Sequence, residues 1–356
     1  MSTLDEARSE IRAGEELNQA ALQTYLQTVF NAPQDALTIL QFPGGHSNLT
    51  YLLNFGNREL VLRRPPFGAE ELKNAHNMGR EFQYLSLLHP VYDKVPQPLH
   101  YCDDKQVIGT PFYVMERKKG IVLRNHPPEG IALTPTKMRQ LCELFVDNLI
   151  DLHQIDVYAS GLIQMGKPEG FLARQIKGAT ERYQHVALGD VSEAQQLADW
   201  LWAHIPSESK IGIIHNDYKF DNIMYSADQM NSIVAVLDWE MATVGDVYCD
   251  LAATLGYWVE KGEYDALNTF ATKQAGSFNR RELLECYEEK TKSKITHIPF
   301  YYALTCYRNA VIVQQLYYRF HKGYTQDQRL GGLKGWDKIF FQLGLQTIQT
   351  GKISNF

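Results

Sequence analysis

The pattern of apolar and polar residues changes character near Lys119. Before that point the chain reads helix, three strands, helix, two strands. Residues from about Leu17 to Phe30 follow helical spacing, and Ala36 to Phe42 alternates as a strand does. Pro43-Gly44-Gly45 breaks that strand, and Leu49 to Phe55 forms a second one. Gly56-Asn57 is a tight-turn signal, and Glu59 to Arg63 opens a third strand. Pro65-Pro66 then forbids regular pairing. Leu72 to Leu88 is expected to be a helix, with Met78, Phe82, Leu85 and Leu88 on one face. After the extended connector Val95-Pro96-Gln97-Pro98, two more strands are expected near Leu99 to Cys102 and Phe112 to Met115. Beyond Lys119 the spacing is mostly helical, most clearly over Lys137 to Leu152, Ala194 to His204 and Ile298 to Phe320. The exception is a strand pair, Asn222 to Tyr225 and Ile233 to Leu237, joined by the polar turn Ser226 to Ser232. A boundary falls near Glu116 to Gly120, where a strand ends in a charged stretch containing glycine.

The chain has 356 residues, enough for two units or one large two-lobed unit. With 44% hydrophobic and 21% charged residues it supports a sizeable core without disulfides or a structural metal. The net charge of -6 argues against a nucleic-acid-binding surface. Cys102, Cys142, Cys249, Cys286 and Cys306 are odd in number and lack zinc-ligand spacing. They read as reduced thiols, so a cytoplasmic location is expected. The first residues, MSTLDEARSEIRAG, are acidic and polar, unlike a secretory signal. No apolar run approaches the roughly 20 residues that cross a bilayer, so no membrane partner is expected.

The strongest chemical signal is IIHNDYKFDNIMY, residues 213–225, followed by VAVLDWE, residues 234–240. His215, Asp217, Lys219 and Asn222 match the kinase catalytic-loop pattern H-x-D-x-K-x-x-N at each fixed position. An aspartate at 217 can take the proton of an attacking hydroxyl and hold it in line. Lys219 can offset charge on a phosphoryl group in transfer. Asn222 and Asp238 offer an amide and a carboxylate oxygen to magnesium. His215 reads as a brace of the loop. A rival reading makes His215, Asp217 and Asp238 ligands of a hydrolytic metal, but it leaves Lys219 and Asn222 without a role.

With these residues in place, the sequence resembles the aminoglycoside-phosphotransferase and choline-kinase family. It is most similar to the kinase-like domain found fused to acyl-CoA dehydrogenases in animals and standing alone in bacteria. The matching segments are FPGGHSNLTYLL, LVLRRPP, GREF, FYVMER, IIHNDYKFDN, VLDWEMATVGDVYCDLA and YRNAVIVQQLYYR. The resemblance implies an α+β, bilobal, protein-kinase-like fold. A small β-rich nucleotide-binding lobe would span residues 1–117, and a larger, mainly helical catalytic lobe residues 118–356. It also implies ATP and Mg2+ as cofactors.

In that family the G-x-S-N loop covers the ATP phosphates, which makes Ser47 and Asn48 nucleotide-binding candidates. A plain hairpin turn is the other reading of Gly44 to Asn48. Kinases usually place a lysine on the third strand, where this chain has Arg63 and Arg64; choline-kinase relatives also use arginine there. Period two pairs Arg63 with Val61, so Arg63 is the phosphate candidate and Glu81 its expected partner. A solvated glutamate on the helix flank is the alternative for Glu81. Glu116 and Arg117 fall at the hinge where adenine would meet the main chain. Asp250 is expected to support the catalytic loop, and its place near a helix start also suggests a cap.

Arg308 and Arg319 lie 11 residues apart, on one face of the long late helix, with Gln315 one turn before Arg319. These three are candidates for an anionic acceptor, and Arg174, Lys177 and Arg182 form a second basic cluster. A solvated face explains both sets as well. The function expected is ATP-dependent phosphorylation of a hydroxyl on a small molecule, such as a hydroxyacyl-CoA or another anionic metabolite. The alternatives are a catalytically weak nucleotide-binding module and an aminoglycoside- or choline-type kinase.

Overall fold

The computed structural model describes residues 10–42, 48–67, 77–124, 130–207, 209–260, 263 and 271–354. Two compact units emerge from chain packing. The first comprises Met1–Ala132, Ser160–Leu162 and Phe220–Ala242; the second comprises Leu133–Ala159, Ile163–Lys219 and Thr243–Phe356.

The first unit opens with α1 (Gln19–Val29), β1 (Leu37–Gln41), β2 (Leu49–Phe55) and β3 (Arg58–Arg64). Then come α2 (Met78–Leu88), β4 (Pro98–Cys102), α3 (Lys105–Ile108), β5 (Phe112–Glu116) and β6 (Ile121–Val122). The sheet is antiparallel throughout, in the order β1-β2-β3-β5-β4. Phe55 faces Arg58 across a two-residue turn, and Gly56 takes φ +56°, a value that costs glycine little. Leu22 and Leu26 of α1 pack with Leu37, Leu53, Phe55 and Leu60 in one core. The helix expected from Leu72 begins at Met78, because Asn77 is extended and its side chain accepts from the Arg80 N–H at 2.9 Å. Residues 72–76 lie outside the described residues.

A second, small sheet in this unit aligns β6 with the later strands of the chain. Calling β7 the strand Ile211–Ile214 of the other unit, these are β8 (Ile223–Tyr225) and β9 (Ile233–Val236), in the order β6-β8-β9. Gly120 makes the approach of β6 possible, since a Cβ there would sit 2.3 Å from the Tyr225 carbonyl oxygen. Gly120→Ala is therefore expected to destabilise the protein by about 1–3 kcal/mol, read from the midpoint of urea unfolding.

The second unit is helical apart from one hairpin-like pair, β7 with β10 (Thr243–Asp246). Its helices are α4 (Pro135–His153), α5 (Phe171–Val186), α6 (Ser192–Ala203), α7 (Val247–Tyr257), α8 (Arg280–Thr291), α9 (Ile298–His321), α10 (Gln328–Gly331) and α11 (Trp336–Thr350). Thr134 caps α4 ahead of Pro135, and Asn279 with Glu282 forms a capping box on α8. α9 forms the axis of the core, where Tyr301, Leu304, Tyr307 and Val311 meet Ile176, Leu197 and Phe341. Among the described residues, no helix is long and apolar enough to cross a membrane.

One expectation about a helix end is corrected here. The cap of α7 is Asp246, whose Oδ1 accepts from the Tyr248 N–H at 3.1 Å. Asp250 lies one turn further in and is fully buried. The four-residue strand β10 occupies the chain up to Asp246, so the helix starts earlier than the sequence suggests.

Candidate active site

The first unit carries the candidate phosphate- and metal-binding groups. Arg63 on β3 is buried and donates from Nη1 to Glu81 Oε1 at 2.8 Å. Its Nη2 donates to Asp238 Oδ1 at 3.0 Å and lies 3.9 Å from Glu240 Oε2. Burial opposes the charge of Arg63, but Glu81 and Asp238 outweigh it and hold the guanidinium well above its ordinary value. Burial likewise pushes Glu81 up, and the guanidinium pulls it back. Arg64 faces away: its Nε donates to the Pro65 carbonyl, and its guanidinium stacks over Phe67 at 3.6 Å.

Asp238 sits between β9 and a 3-10 turn, Trp239–Met241, with φ +67° and ψ +64°. A left-handed aspartate costs on the order of 1–3 kcal/mol and persists only where its surroundings hold it. They do so here. Trp239 is buried, donates from Nε1 to the Val236 carbonyl at 2.8 Å, and stacks on Tyr84 of α2. Arg80 donates to the carbonyl oxygens of Glu240, at 3.2 Å, and of Ala242. Asn48 donates to Glu240 Oε2 at 2.7 Å. Asn222 ends the 3-10 turn Phe220–Asn222, and its main-chain oxygen accepts from the Leu237 N–H at 2.8 Å. That bond sets Asn222 against the residue preceding Asp238. Carboxylate and amide oxygens are hard donors of the kind magnesium takes, so the pair fits that ion.

The hinge candidates are arranged less directly. The Glu116 N–H donates to the Gln97 carbonyl at 2.9 Å, and its carboxylate lies 3.2 Å from Lys118 Nζ. Arg117 pairs with Glu59 at 3.0 Å. Ser47 lies outside the described residues.

The second unit carries the loop from His215 to Lys219. Lys219 Nζ lies 2.9 Å from Asp217 Oδ1 and 5.3 Å from the Tyr257 ring centroid. Burial raises the Tyr257 hydroxyl, and so does the Asp217 carboxylate that accepts its hydrogen bond. The Asp217 N–H donates to His215 Nδ1 at 3.3 Å. Asn216 takes φ +66°, which asparagine tolerates better than most residues. Its Oδ1 accepts from Arg308 Nη2 at 2.9 Å.

Asp250 anchors this loop. Its two carboxylate oxygens accept from the His215 N–H at 2.8 Å and the Asn216 N–H at 2.7 Å. His153 Nε2 lies 3.3 Å from Asp250 Oδ2, and its Nδ1 lies 2.9 Å from the Tyr287 hydroxyl. Burial raises the Asp250 carboxyl, but these partners hold it below its ordinary value. The stability that follows is present above the unfolded-state pKa, about 3.9, and is lost as pH falls through the folded-state value. Asp250→Asn is thus expected to cost more stability at pH 7 than at pH 3. Urea unfolding of both proteins at the two pH values checks this; an equal cost at both would contradict it.

The sequence reasoning missed several of these groups. Glu240, Asn216 and Tyr257 each touch a candidate residue, and Arg80 holds the Glu240 main chain, yet none stood out alone. Glu240 and Arg80 lie inside the matched segments VLDWE and GREF, which was the available signal. The late-helix stripe separates in the structure. Arg308 reaches Asn216, while Arg319 is exposed in the last turn of α9, roughly 16 Å further along at 1.5 Å per residue. Gln315 is half-buried between them. Among the described residues, no three His, Cys, Asp or Glu gather as a metal site.

Residues 38–286 match the phosphotransferase enzyme family. Acyl-CoA dehydrogenase family member 11 of Pongo abelii is 31% identical over 324 residues, covering 88% of this chain and 41% of that protein. Family member 10 of Mus musculus is 30% identical over 307 residues, covering 85% of this chain and 28% of that protein. The chain therefore spans less than half the length of these relatives. Among solved structures, a candidate aminoglycoside phosphotransferase of Ralstonia eutropha matches with a TM-score of 0.80 at 26% identity, over 94% of this chain and 99% of that one. The GDP complex of aminoglycoside 2'-phosphotransferase-IIIa matches with a TM-score of 0.61 at 14% identity, over 91% of this chain and 99% of that one, which speaks to fold alone. The sheet-bearing unit and the helical unit thus make up an α+β, protein-kinase-like fold.

Proposed function

The chain belongs to the phosphotransferase enzyme family, and from that premise we propose that it transfers the γ-phosphoryl group of ATP to a hydroxyl of a small anionic metabolite. The observation that carries this reading is the Asp217–Lys219 pair, 2.9 Å apart on a loop whose main chain is held by buried Asp250. A carboxylate fixed in this way suits removal of a hydroxyl proton.

In the proposed reaction the acceptor oxygen attacks the γ-phosphorus, and the bond to the oxygen bridging the β- and γ-phosphates breaks. ADP leaves, and the acceptor proton passes to Asp217. Lys219 offsets the charge that develops on the phosphoryl oxygens. Asn222 and Asp238 would hold magnesium, which when bound neutralises phosphate charge. Arg63, kept cationic by Glu81, holds the phosphates. Asn48, together with Ser47, covers them, and the main chain at Glu116 and Arg117 receives the base. His215 and Asp250 keep the loop in shape. Functionally, nucleotide binding is assigned to residues 1–117 and catalysis to residues 118–356.

The acceptor class follows from charge. Arg308 beside the loop suits a carboxylate, phosphate or coenzyme A ester and opposes a polycationic aminoglycoside. Gln315 and Arg319 extend the same helix toward a longer acceptor. The relatives are named acyl-CoA dehydrogenase family members, so hydroxyacyl-CoA compounds head the panel to be tested. The test is ADP release with ATP and Mg2+ against hydroxyacyl-CoA thioesters, free hydroxy acids and aminoglycosides. Turnover with an anionic hydroxy compound is expected. Nucleotide binding without turnover on any acceptor would overturn the reading.

A further inference from the structure

Glu240 touches two residues of the proposed nucleotide site, yet the proposed reaction gives it no task. It lies two residues after Asp238, in the 3-10 turn Trp239–Met241. Its Oε2 accepts from Asn48 Nδ2 at 2.7 Å and lies 3.9 Å from Arg63 Nη2. That same guanidinium nitrogen reaches Asp238 Oδ1 at 3.0 Å. One carboxylate oxygen thus stands between the Asn48 amide and the arginine that meets Asp238. Asn48 is buried, and a bond from its amide to a carboxylate is stronger than one to a neutral oxygen. An ionised carboxylate only accepts, so Nδ2 of Asn48 has to face it and the orientation of the amide is set.

Glu240 is itself held from behind. Arg80 of α2 donates to its main-chain oxygen at 3.2 Å and to that of Ala242, and the neighbouring Trp239 stacks on Tyr84 of the same helix. The next residue of α2, Glu81, accepts from Arg63 on β3 at 2.8 Å. Two consecutive residues of one helix therefore grip the turn and the strand. β2 and β3 pair with Leu49 opposite Arg64 and Thr50 opposite Arg63, so Asn48 and Arg63 sit at the same end of that ladder. The bond from Glu240 to Asn48 closes a ring of contacts: α2, the turn, the start of β2, then β3 and back to α2. Its other members are already ordered, so closing the ring costs little further entropy.

We propose that Glu240 is a positioning residue for the nucleotide phosphates: its carboxylate fixes Asn48 against Asp238, so that the two meet the triphosphate at one set spacing. This deepens the phosphoryl-transfer reading above and rests on it. Stability alone accounts poorly for a glutamate here. Arg63 already faces Glu81 and Asp238, so a third carboxylate adds negative charge where phosphates are to bind. An apolar contact could hold the start of β2 without that cost. A hydrogen bond has direction, and it sets the angle of the Asn48 amide as an apolar contact does not.

The test uses the full chain and titrates a non-hydrolysable ATP analogue and adenosine calorimetrically, each with Mg2+. Glu240→Ala and Asn48→Ala, which approach the bond from its two sides, should each weaken binding of the analogue by about tenfold. Both should leave adenosine binding within about twofold of wild type. The double variant should bind no more weakly than either single one, because both remove the same bond. Glu240→Gln keeps an oxygen for Asn48 Nδ2 and should bind the analogue within about threefold of wild type. The proposal is overturned if Glu240→Ala binds the analogue as wild type does, or if the two single losses add in the double variant. It is also overturned if Glu240→Gln fails as Glu240→Ala does; a raised Mg2+ requirement would then mark a carboxylate on the metal. Equal losses for the analogue and adenosine would show a purely structural role and overturn it too. A wild type that binds no nucleotide would remove the phosphoryl-transfer reading and the proposal together, whereas each of the other contrary results leaves that reading standing.

Discussion

Asp217→Asn is expected to lower kcat for phosphoryl transfer by roughly 10²–10⁴-fold, the range for loss of a general base. Asparagine keeps the shape of the side chain and its hydrogen bond to Tyr257, but it takes up no proton. The nucleotide affinity should change by no more than about threefold, because the phosphate- and metal-binding groups belong to other residues. The loop itself should survive, since its main chain is held by Asp250, and by Tyr218, whose carbonyl accepts from Thr254 at 3.0 Å. Stopped-flow measurement of nucleotide binding alongside steady-state turnover separates the two effects. A parallel loss of nucleotide binding would show that Asp217 shapes the site and does not act on the acceptor.

The second large effect concerns stability. Glu81→Ala is expected to cost about 3–5 kcal/mol, the range for breaking a buried ion pair from one side. Arg63 is buried, so its remaining partners are Asp238 and, at 3.9 Å, Glu240. The Arg63 guanidinium would then draw more strongly on Asp238 and compete with any metal for that carboxylate. Urea unfolding should report the stability loss, and the Mg2+ concentration required for nucleotide binding should rise. Replacing both members with apolar residues of similar size should restore much of the stability but none of the nucleotide binding. A Glu81→Ala protein as stable as wild type would mean that Arg63 is not held by this pair.

How far the sequence could be read depended on the range of the interaction. Strand β2 was legible to the residue because its alternation ends in Gly56-Asn57, a local signal that fixes the register. Arg63 was separable from Arg64 by period two, and in the structure only Arg63 meets Glu81. The spacing of the loop from His215 to Asn222 was legible for the same reason: four positions of one short segment specify it. Partners distant in sequence were not. Arg80 binds Glu240 across 160 residues and Arg308 binds Asn216 across 92, and no local pattern announces either. The cap of α7 was misplaced because β10 is only four residues long, and its pairing with β7 is decided by a strand some thirty residues earlier. Similarly, a run of basic residues on α5 does not say which of them is already neutralised. That sorting required the carbonyl partners of Arg174 and the Glu181 carboxylate beside Lys177.

The central claim, that this chain moves a phosphoryl group from ATP to a hydroxyl with Asp217 as base, is tested most directly by ³¹P NMR. Wild type and Asp217→Asn are incubated with ATP, Mg2+ and the acceptor panel, and the products are followed over time. The expected spectrum for wild type shows ADP and a new phosphate monoester rising in equal amounts, with the monoester nearly absent in the variant over the same period. ADP accompanied only by inorganic phosphate, or a monoester formed equally fast by both proteins, would contradict it.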